Sequence, residues 1–118
     1  MTLQLLKSKI HRATVTDANV NYEGSLTIDR ALMDEVDMRE HERVLCGNMA
    51  NGERFETYVI AGETGSGAII LNGATAHLGE SGDLLTIMTF AGVNDSATDG
   101  WRPKVIVLGE NNATIVRR

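Results

Sequence analysis

Short runs of branched residues, broken by Gly, Asn or Asp, recur along the chain: Ala13 to Thr16, Tyr58 to Ala61, Ala68 to Leu71, Leu84 to Phe90 and Val105 to Leu108. Side chains branched at Cβ crowd a helix but fit the pleated surface of a sheet, so this pattern predicts a mainly β fold. Asn51-Gly52 supplies two residues that tolerate positive φ and predicts a tight hairpin leading into Glu53 to Ile60, with a further turn at Gly79 to Asp83. Two short helices are expected. Asp29 caps one that places Leu32, Met33 and Val36 on one face, and Asn72 caps another through Ala74, Ala76 and Leu78. Many short strands with little helix between them point to a small closed barrel or a sandwich, a choice the pattern leaves open. Gly92 to Gly100 is polar enough to form a mobile loop before Trp101-Arg102-Pro103, and the tail after Leu108 is expected to fray.

The length of 118 residues, 42% of them hydrophobic, suits one modest core and a single domain, residues 1–118. A formal charge of -5, from 11 Lys and Arg against 16 Asp and Glu, argues against nucleic acid as a partner. No run approaches the roughly 18 apolar residues that cross a bilayer, so no membrane association is expected. The segment MTLQLLKSKIHR lacks the apolar stretch of a signal peptide and Cys46 has no second cysteine to pair with, which together suggest a reducing, cytoplasmic setting. The sequons at Asn94 and Asn112 are then chance matches. Cys46 reads as a small buried hydrophobe. His11, His41 and His77 are spaced too widely to share a helix face, so no metal is expected. The segment Gly62-Glu63-Thr64-Gly65-Ser66-Gly67 lacks the Gly-Lys-Ser/Thr ending of a phosphate loop and reads as a turn.

One long stretch carries more. LKSKIHRATVT from Leu6 to Thr16, then NYEGS from Asn21 to Ser25, resembles the start of the pyruvoyl-dependent aspartate 1-decarboxylases. LTID (Leu26 to Asp29), NGERFETY (Asn51 to Tyr58), GETGSG (Gly62 to Gly67) and NGATAH (Asn72 to His77) resemble the same family in the same order, and with Trp101-Arg102-Pro103 the likeness spans roughly residues 6 to 108. The resemblance implies a six-stranded double-psi β-barrel with short helices, assembled as a homotetramer with sites between subunits. It implies self-cleavage between Gly24 and Ser25 into chains 1–24 and 25–118, conversion of Ser25 to a covalently bound pyruvoyl group, and decarboxylation of L-aspartate to β-alanine for pantothenate and coenzyme A. Some members of the family need a separate maturation factor.

Gly-Ser suits that cut. A serine hydroxyl can attack the preceding carbonyl through a five-membered ring and turn the amide into an ester. Glycine, lacking Cβ, is expected to allow the strained backbone the attack requires. Elimination leaves dehydroalanine, which hydrolyses to pyruvoyl. Its ketone would condense with the substrate amine to a Schiff base, and the conjugated carbonyl would take up the electrons as CO2 leaves.

By the same resemblance Tyr58 is the proton donor, Thr57 polarises the Gly24 carbonyl during cleavage, and Lys9 and His11 line the substrate site. Arg54 forks onto a substrate carboxylate; gripping the leaving one would stabilise the ground state, so it is assigned the one that stays. Asn72, Gly73, Ala74 and Thr75 form a substrate-binding run, with backbone N–H groups of the first three available to the pyruvoyl oxygen or a carboxylate. Tyr22 and Thr86 are pocket walls. The residues themselves also allow plainer roles: Lys9 and His11 as basic guards of an exposed strand edge, Arg54 as a solvated surface charge, Asn72 as a helix cap. Strict alternation puts Arg54 and Tyr58 on one face of a strand and Thr57 on the other, which requires either a bulge or a site approached from two sides.

The chain departs from the family pattern at Thr75, where alanine is usual, at Thr86, where an apolar residue is usual, and at Gly47, where relatives often carry tryptophan. Two rivals follow: a pyruvoyl enzyme for another acidic amino acid such as glutamate, and a barrel that never matures and serves as a binding or structural module.

Overall fold

Alternation of buried and exposed residues governs nearly every element in the computed structural model, which describes all 118 residues. The strands are β1 (Thr2–Thr14), β2 (Asp17–Asn19), β3 (Ser25–Asp29), β4 (Arg43–Asn48), β5 (Arg54–Gly62), β6 (Ile69–Asn72), β7 (Leu84–Asn94), β8 (Lys104–Leu108) and β9 (Thr114–Arg117). One helix, α1 (Arg30–Glu35), and three 3-10 turns, at Gly73–His77, Asp95–Ala97 and Glu110–Asn112, complete the chain. The strands join in the order β2-β6-β3-β5-β4-β7-β1-β8-β9, mixing antiparallel pairs with the parallel pairs β1/β8, β2/β6 and β3/β5. The mainly β class is as the sequence predicts and is consistent with a small barrel; the strands number nine, because short segments such as β2 and β9 extend the sheet at its ends.

The core is a single cluster to which most strands contribute. Ile10, Leu26, Ile28, Val44, Cys46, Val59, Ile69, Leu71, Leu85 and Ile87 are all fully buried. Truncating one of the larger ones to Ala would cost about 2–5 kcal/mol. Asp29 caps α1 as expected, accepting from Ala31 N at 2.8 Å, and Leu32 and Met33 face the core. Its carboxylate also accepts from Gly65 N at 3.0 Å and Gly67 N at 2.8 Å, so the glycine-rich segment is a turn tied down by the same side chain.

Four local expectations change. The β4/β5 hairpin is not a two-residue turn; residues 49–53 connect the strands, with Gly52 at φ 78° and the side chains of Asn48 and Asn51 accepting from Ala50 N and Glu53 N. Gly92 to Asn94 continue β7 rather than opening a loop, because Gly92 and Val93 pair with Gln4 and Leu3. The tail does not fray: β9 pairs with β8, and Arg117 and Thr114 both bond Glu35 at the end of α1. Asn72 begins a 3-10 turn but makes no side-chain cap, since its amide is used elsewhere.

Candidate active site

Ser25 opens β3 and is 1% exposed. Asn72, its direct partner on β6, donates its side-chain amide to Ser25 Oγ at 3.0 Å and to Thr27 Oγ1 at 2.9 Å. That double use explains the missing cap: the two hydroxyls lie on one face of β3, and the Asn72 amide bridges them. Ser25 Oγ lies 3.4 Å from Glu23 O, on the side of the upstream backbone. Thr75 Oγ1 donates to Asn72 O at 2.8 Å and lies 3.4 Å from Ser25 O. Leu26 to Ile28 are paired on both sides, to β5 and β6, so residue 25 is anchored from its C-terminal side.

The glycine that shapes this corner is not the expected one. Gly24 does not have positive φ, and a Cβ added there would meet nothing within 4 Å. The strain argument therefore does not apply to it. Gly73 has φ 65°, and a Cβ on it would stand 2.7 Å from both Cα and N of Gly24 and 2.9 Å from Tyr22 O. The segment before Ser25 lies directly against a residue that must lack a side chain.

A second set of groups lies along one lateral row of the sheet. Across β1, β7, β4 and β5 the register aligns His11, Thr86, Gly47 and Arg54. Side chains at the same level of paired strands share a face, so these residues do too, with Lys9 two positions from His11. The bulges of β1 fall between Leu6 and Ser8 and between His11 and Ala13, outside the Lys9 to His11 stretch. His11 Nδ1 lies 3.3 Å from Thr86 Oγ1. Partial burial, then the charges of Lys9, Arg12 and Arg118, push the His11 pKa below 6.5. Because β1 lies between β7 and β8, Lys9 and His11 do not guard an edge. A Cβ on Gly47 would be 3.9 Å from the Arg54 guanidinium, so that group lies beside the bare β4 backbone.

On β5, Phe55 and Val59 are buried while Arg54, Glu56 and Tyr58 are exposed, and Thr57 is intermediate on the inner side. The β4/β5 register is free of bulges, so the alternation that separates Thr57 from Arg54 and Tyr58 is real and the two sets face opposite ways. Continuing the parallel β3/β5 register back from Leu26↔Val59 brings residue 24 level with Thr57 and residue 25 level with Tyr58. Tyr58 is 37% exposed and stands 6.2 Å, centroid to centroid, from the ring of His41. Tyr22 is exposed. Ala74 is exposed on the 3-10 turn, whereas Gly73 and Thr75 are buried.

Two contacts escaped sequence reasoning. Thr27 shares the Asn72 amide with Ser25, which its i+2 position on a strand signals. His41 meets Tyr58 through a positive φ of 73° that no pattern announces. Cys46 is buried as expected, and burial pushes its thiol pKa up to about 12. No group of three or more His, Cys, Asp or Glu side chains is placed to hold a metal ion, and no helix is long and apolar enough to cross a membrane.

The five main surface cavities of the chain, of about 380, 490, 430, 380 and 240 Å³, are lined by none of Lys9, His11, Ser25, Arg54 and Tyr58. On the outer face one of these cavities is lined by Gln4, Arg43, Leu45, Glu56 and Phe90, a mixed surface in which Phe90 is 43% exposed.

A mainly β chain with these groups belongs among the enzymes, and comparison with known proteins says which. The family model described as aspartate decarboxylase matches residues 1–115. The chain is 54% identical to the aspartate 1-decarboxylase of Pseudothermotoga lettingae over 111 residues, covering 94% of this chain and 95% of that one. It is 51% identical to that of Ralstonia pickettii over 112 residues, 95% and 93% of the two chains, and 52% identical to that of Staphylococcus epidermidis over 115 residues, 98% and 90%. The chain belongs to the aspartate decarboxylase family.

Proposed function

We infer that this chain decarboxylates L-aspartate to β-alanine and CO2, supplying β-alanine for pantothenate and coenzyme A, with a pyruvoyl group that it makes from its own Ser25. Family membership at about half identity over nearly the full length supports the reaction. The observation that carries the self-made group is the corner around Ser25: a buried hydroxyl at a strand start, held by the Asn72 amide, with the preceding residues laid on Gly73.

The first stage is cleavage. Ser25 Oγ attacks the Gly24 carbonyl carbon, the Gly24–Ser25 amide becomes an ester, and elimination releases Gly24 as a carboxylate. Hydrolysis of the dehydroalanine left at residue 25 consumes one water and releases one ammonia. Asn72 orients the hydroxyl, and Thr57, level with residue 24 in the extended register, polarises the carbonyl from the inner side of β5. Pairing holds both products: β1 stays between β7 and β8, β2 on β6, and β3 between β5 and β6. Single domain 1–118 thus becomes chains 1–24 and 25–118 without falling apart.

The residues present fit a pyruvoyl group. Residue 25 is buried among hydroxyl and amide donors, with Thr75 Oγ1 3.4 Å from the carbonyl that maturation leaves in place. When formed, that group supplies a ketone for the substrate amine and a conjugated carbonyl that accepts the electrons of the breaking bond. The rest falls to side chains. Arg54 binds the carboxylate that is retained, Lys9 and His11 add charge and a polar contact, and Tyr22 closes the pocket. Tyr58 returns the proton to the carbon that lost CO2. Asn72, Gly73 and Ala74 offer backbone N–H groups at residue 25.

In the extended β3/β5 register Ser25 stands level with Tyr58, on the side of β5 that also carries Arg54, and none of the five main cavities is lined by either Ser25 or Arg54. The absence of both from the main cavities supports sites formed between subunits of a homotetramer, with the mixed surface of Leu45, Phe90, Arg43 and Glu56 as contact area. The setting is cytoplasmic, and maturation proceeds alone or with a helper protein. A panel of L-aspartate, L-glutamate and neutral amino acids, read as CO2 release, tests the substrate: turnover confined to aspartate is expected, and a preference for glutamate would refute it.

A further inference from the structure

Thr86 has no part in the reaction as set out above, yet it is the only hydrogen-bonding partner His11 has within the chain. The two residues are direct cross-strand partners, His11 on β1 and Thr86 on β7, so backbone pairing fixes the approach of their side chains. Nδ1 and Oγ1 are 3.3 Å apart, and Thr86 Oγ1 has no other bond in the chain. Both side chains are half-buried, in line with Gly47 and Arg54 on the same face.

A neutral imidazole carries its proton on one nitrogen, and the partner of the other decides which. We propose that the Thr86 hydroxyl donates to His11 Nδ1 and so holds the ring as the Nε2–H tautomer, making His11 an uncharged hydrogen-bond donor to the substrate carboxylate and Thr86 the residue that positions it. Three observations converge. The hydroxyl proton has no other acceptor in the chain. The free nitrogen, Nε2, has no protein partner. An anionic substrate on the Lys9 and Arg54 face needs donors, and a ring protonated on Nδ1 would present a lone pair. Partial burial, then the nearby charges of Lys9, Arg12 and Arg118, favour the uncharged ring, the form in which the tautomer matters. An apolar residue at position 86 would leave the tautomer to solvent.

The inference rests on the reading of Lys9, His11 and Arg54 as the substrate face, and the test separates the two. In mature enzyme labelled with ¹⁵N at histidine, the His11 ring signals are assigned by their absence in His11→Ala, and the two-bond correlations report the tautomer. Wild type is expected to show Nε2–H. Thr86→Val, which keeps the shape and removes the hydroxyl, is expected to show mixed tautomers and to raise KM about twofold, as follows when about half the rings carry the proton on the wrong nitrogen, with a smaller change in kcat. Thr86→Ser should restore both. The Gly24–Ser25 cut, read by mass, should be complete in every variant. An Nδ1–H ring in wild type, or a His11 spectrum identical in Thr86→Val, overturns the proposal whatever the kinetics. If the spectra behave as expected but His11→Ala turns over normally, Thr86 still sets the tautomer and His11 is not a substrate contact, so that result overturns the role given to both residues in binding.

Discussion

Two regions of this molecule are built to different standards. Around Ser25, polar groups are buried and bonded to one another, and even the space for a Cβ on Gly73 is filled by backbone. Along the row of His11, Thr86, Gly47 and Arg54, side chains are half-buried or exposed, with one 3.3 Å contact between them and only the Arg54 guanidinium, at 3.9 Å, near a Cβ placed on Gly47. The first region can do its chemistry within one chain, because a self-cleavage has no substrate to admit and depends on held geometry. The second must receive a small anion and lies on a surface that one chain leaves uncovered. The corner is complete within one chain, whereas under the proposed assembly the row would become a site only with a neighbouring subunit.

The largest effect that would break this contrast is expected at Gly73. In Gly73→Ala the new methyl meets Gly24 at 2.7 Å in a backbone already at φ 65°, so the segment before Ser25 must move, and cleavage should stop altogether by gel or mass. Ready cleavage in that variant would mean the corner is not held as described. Next is Arg54→Ala. Loss of two charge-assisted hydrogen bonds, about 3–6 kcal/mol, should lower kcat/KM for aspartate by roughly two to four orders of magnitude. The cut should remain complete, because Arg54 lies on the face away from the core.

Asn72→Ala should be intermediate in a different way. It strips the donor from both Ser25 and Thr27, which are left with unmet acceptors at a cost of about 1–3 kcal/mol of stability. Cleavage should slow about tenfold or more without ceasing, measured as the half-time for loss of the uncut chain. The smallest effect concerns pH. The folded chain depresses the His11 pKa below 6.5, so as pH falls through 6.5 the unfolded chain takes up the proton first. Stability is then lost until the folded imidazole protonates as well. A calorimetric Tm series from pH 8 to 5 should show a shallow decline that is reduced in His11→Gln; the ring is mostly hydrated, which keeps the decline small.

Much of this was legible in the sequence, for reasons that differ by region. Branched runs gave the strands and Asp29 its cap, because both are decided by local sterics and local hydrogen bonding. Lys9 and His11 on one face, and Arg54 opposed to Thr57, followed from alternation alone and hold in the sheet. What failed depended on distant chain. Asn72 does not cap because β6 brings it to Ser25, and the tail does not fray because Glu35 reaches Arg117. The glycine on which the Ser25 corner is packed is Gly73 rather than Gly24, 49 positions away in sequence yet in contact, by a proximity that no single-chain pattern carries. The alignment of His11, Thr86, Gly47 and Arg54 likewise needs the strand order, which joins β1 to β5 through β7 and β4.

The central claim is that the buried corner cuts its own backbone, and intact-mass measurement of the purified protein tests it most directly. The account predicts two chains, residues 1–24 ending in a free carboxylate and residues 25–118 beginning with a pyruvoyl group, their summed mass differing from the precursor by a gained water and a lost ammonia. A single uncut chain of 12.8 kDa that persists through prolonged incubation, both alone and in extract containing a maturation factor, would contradict it.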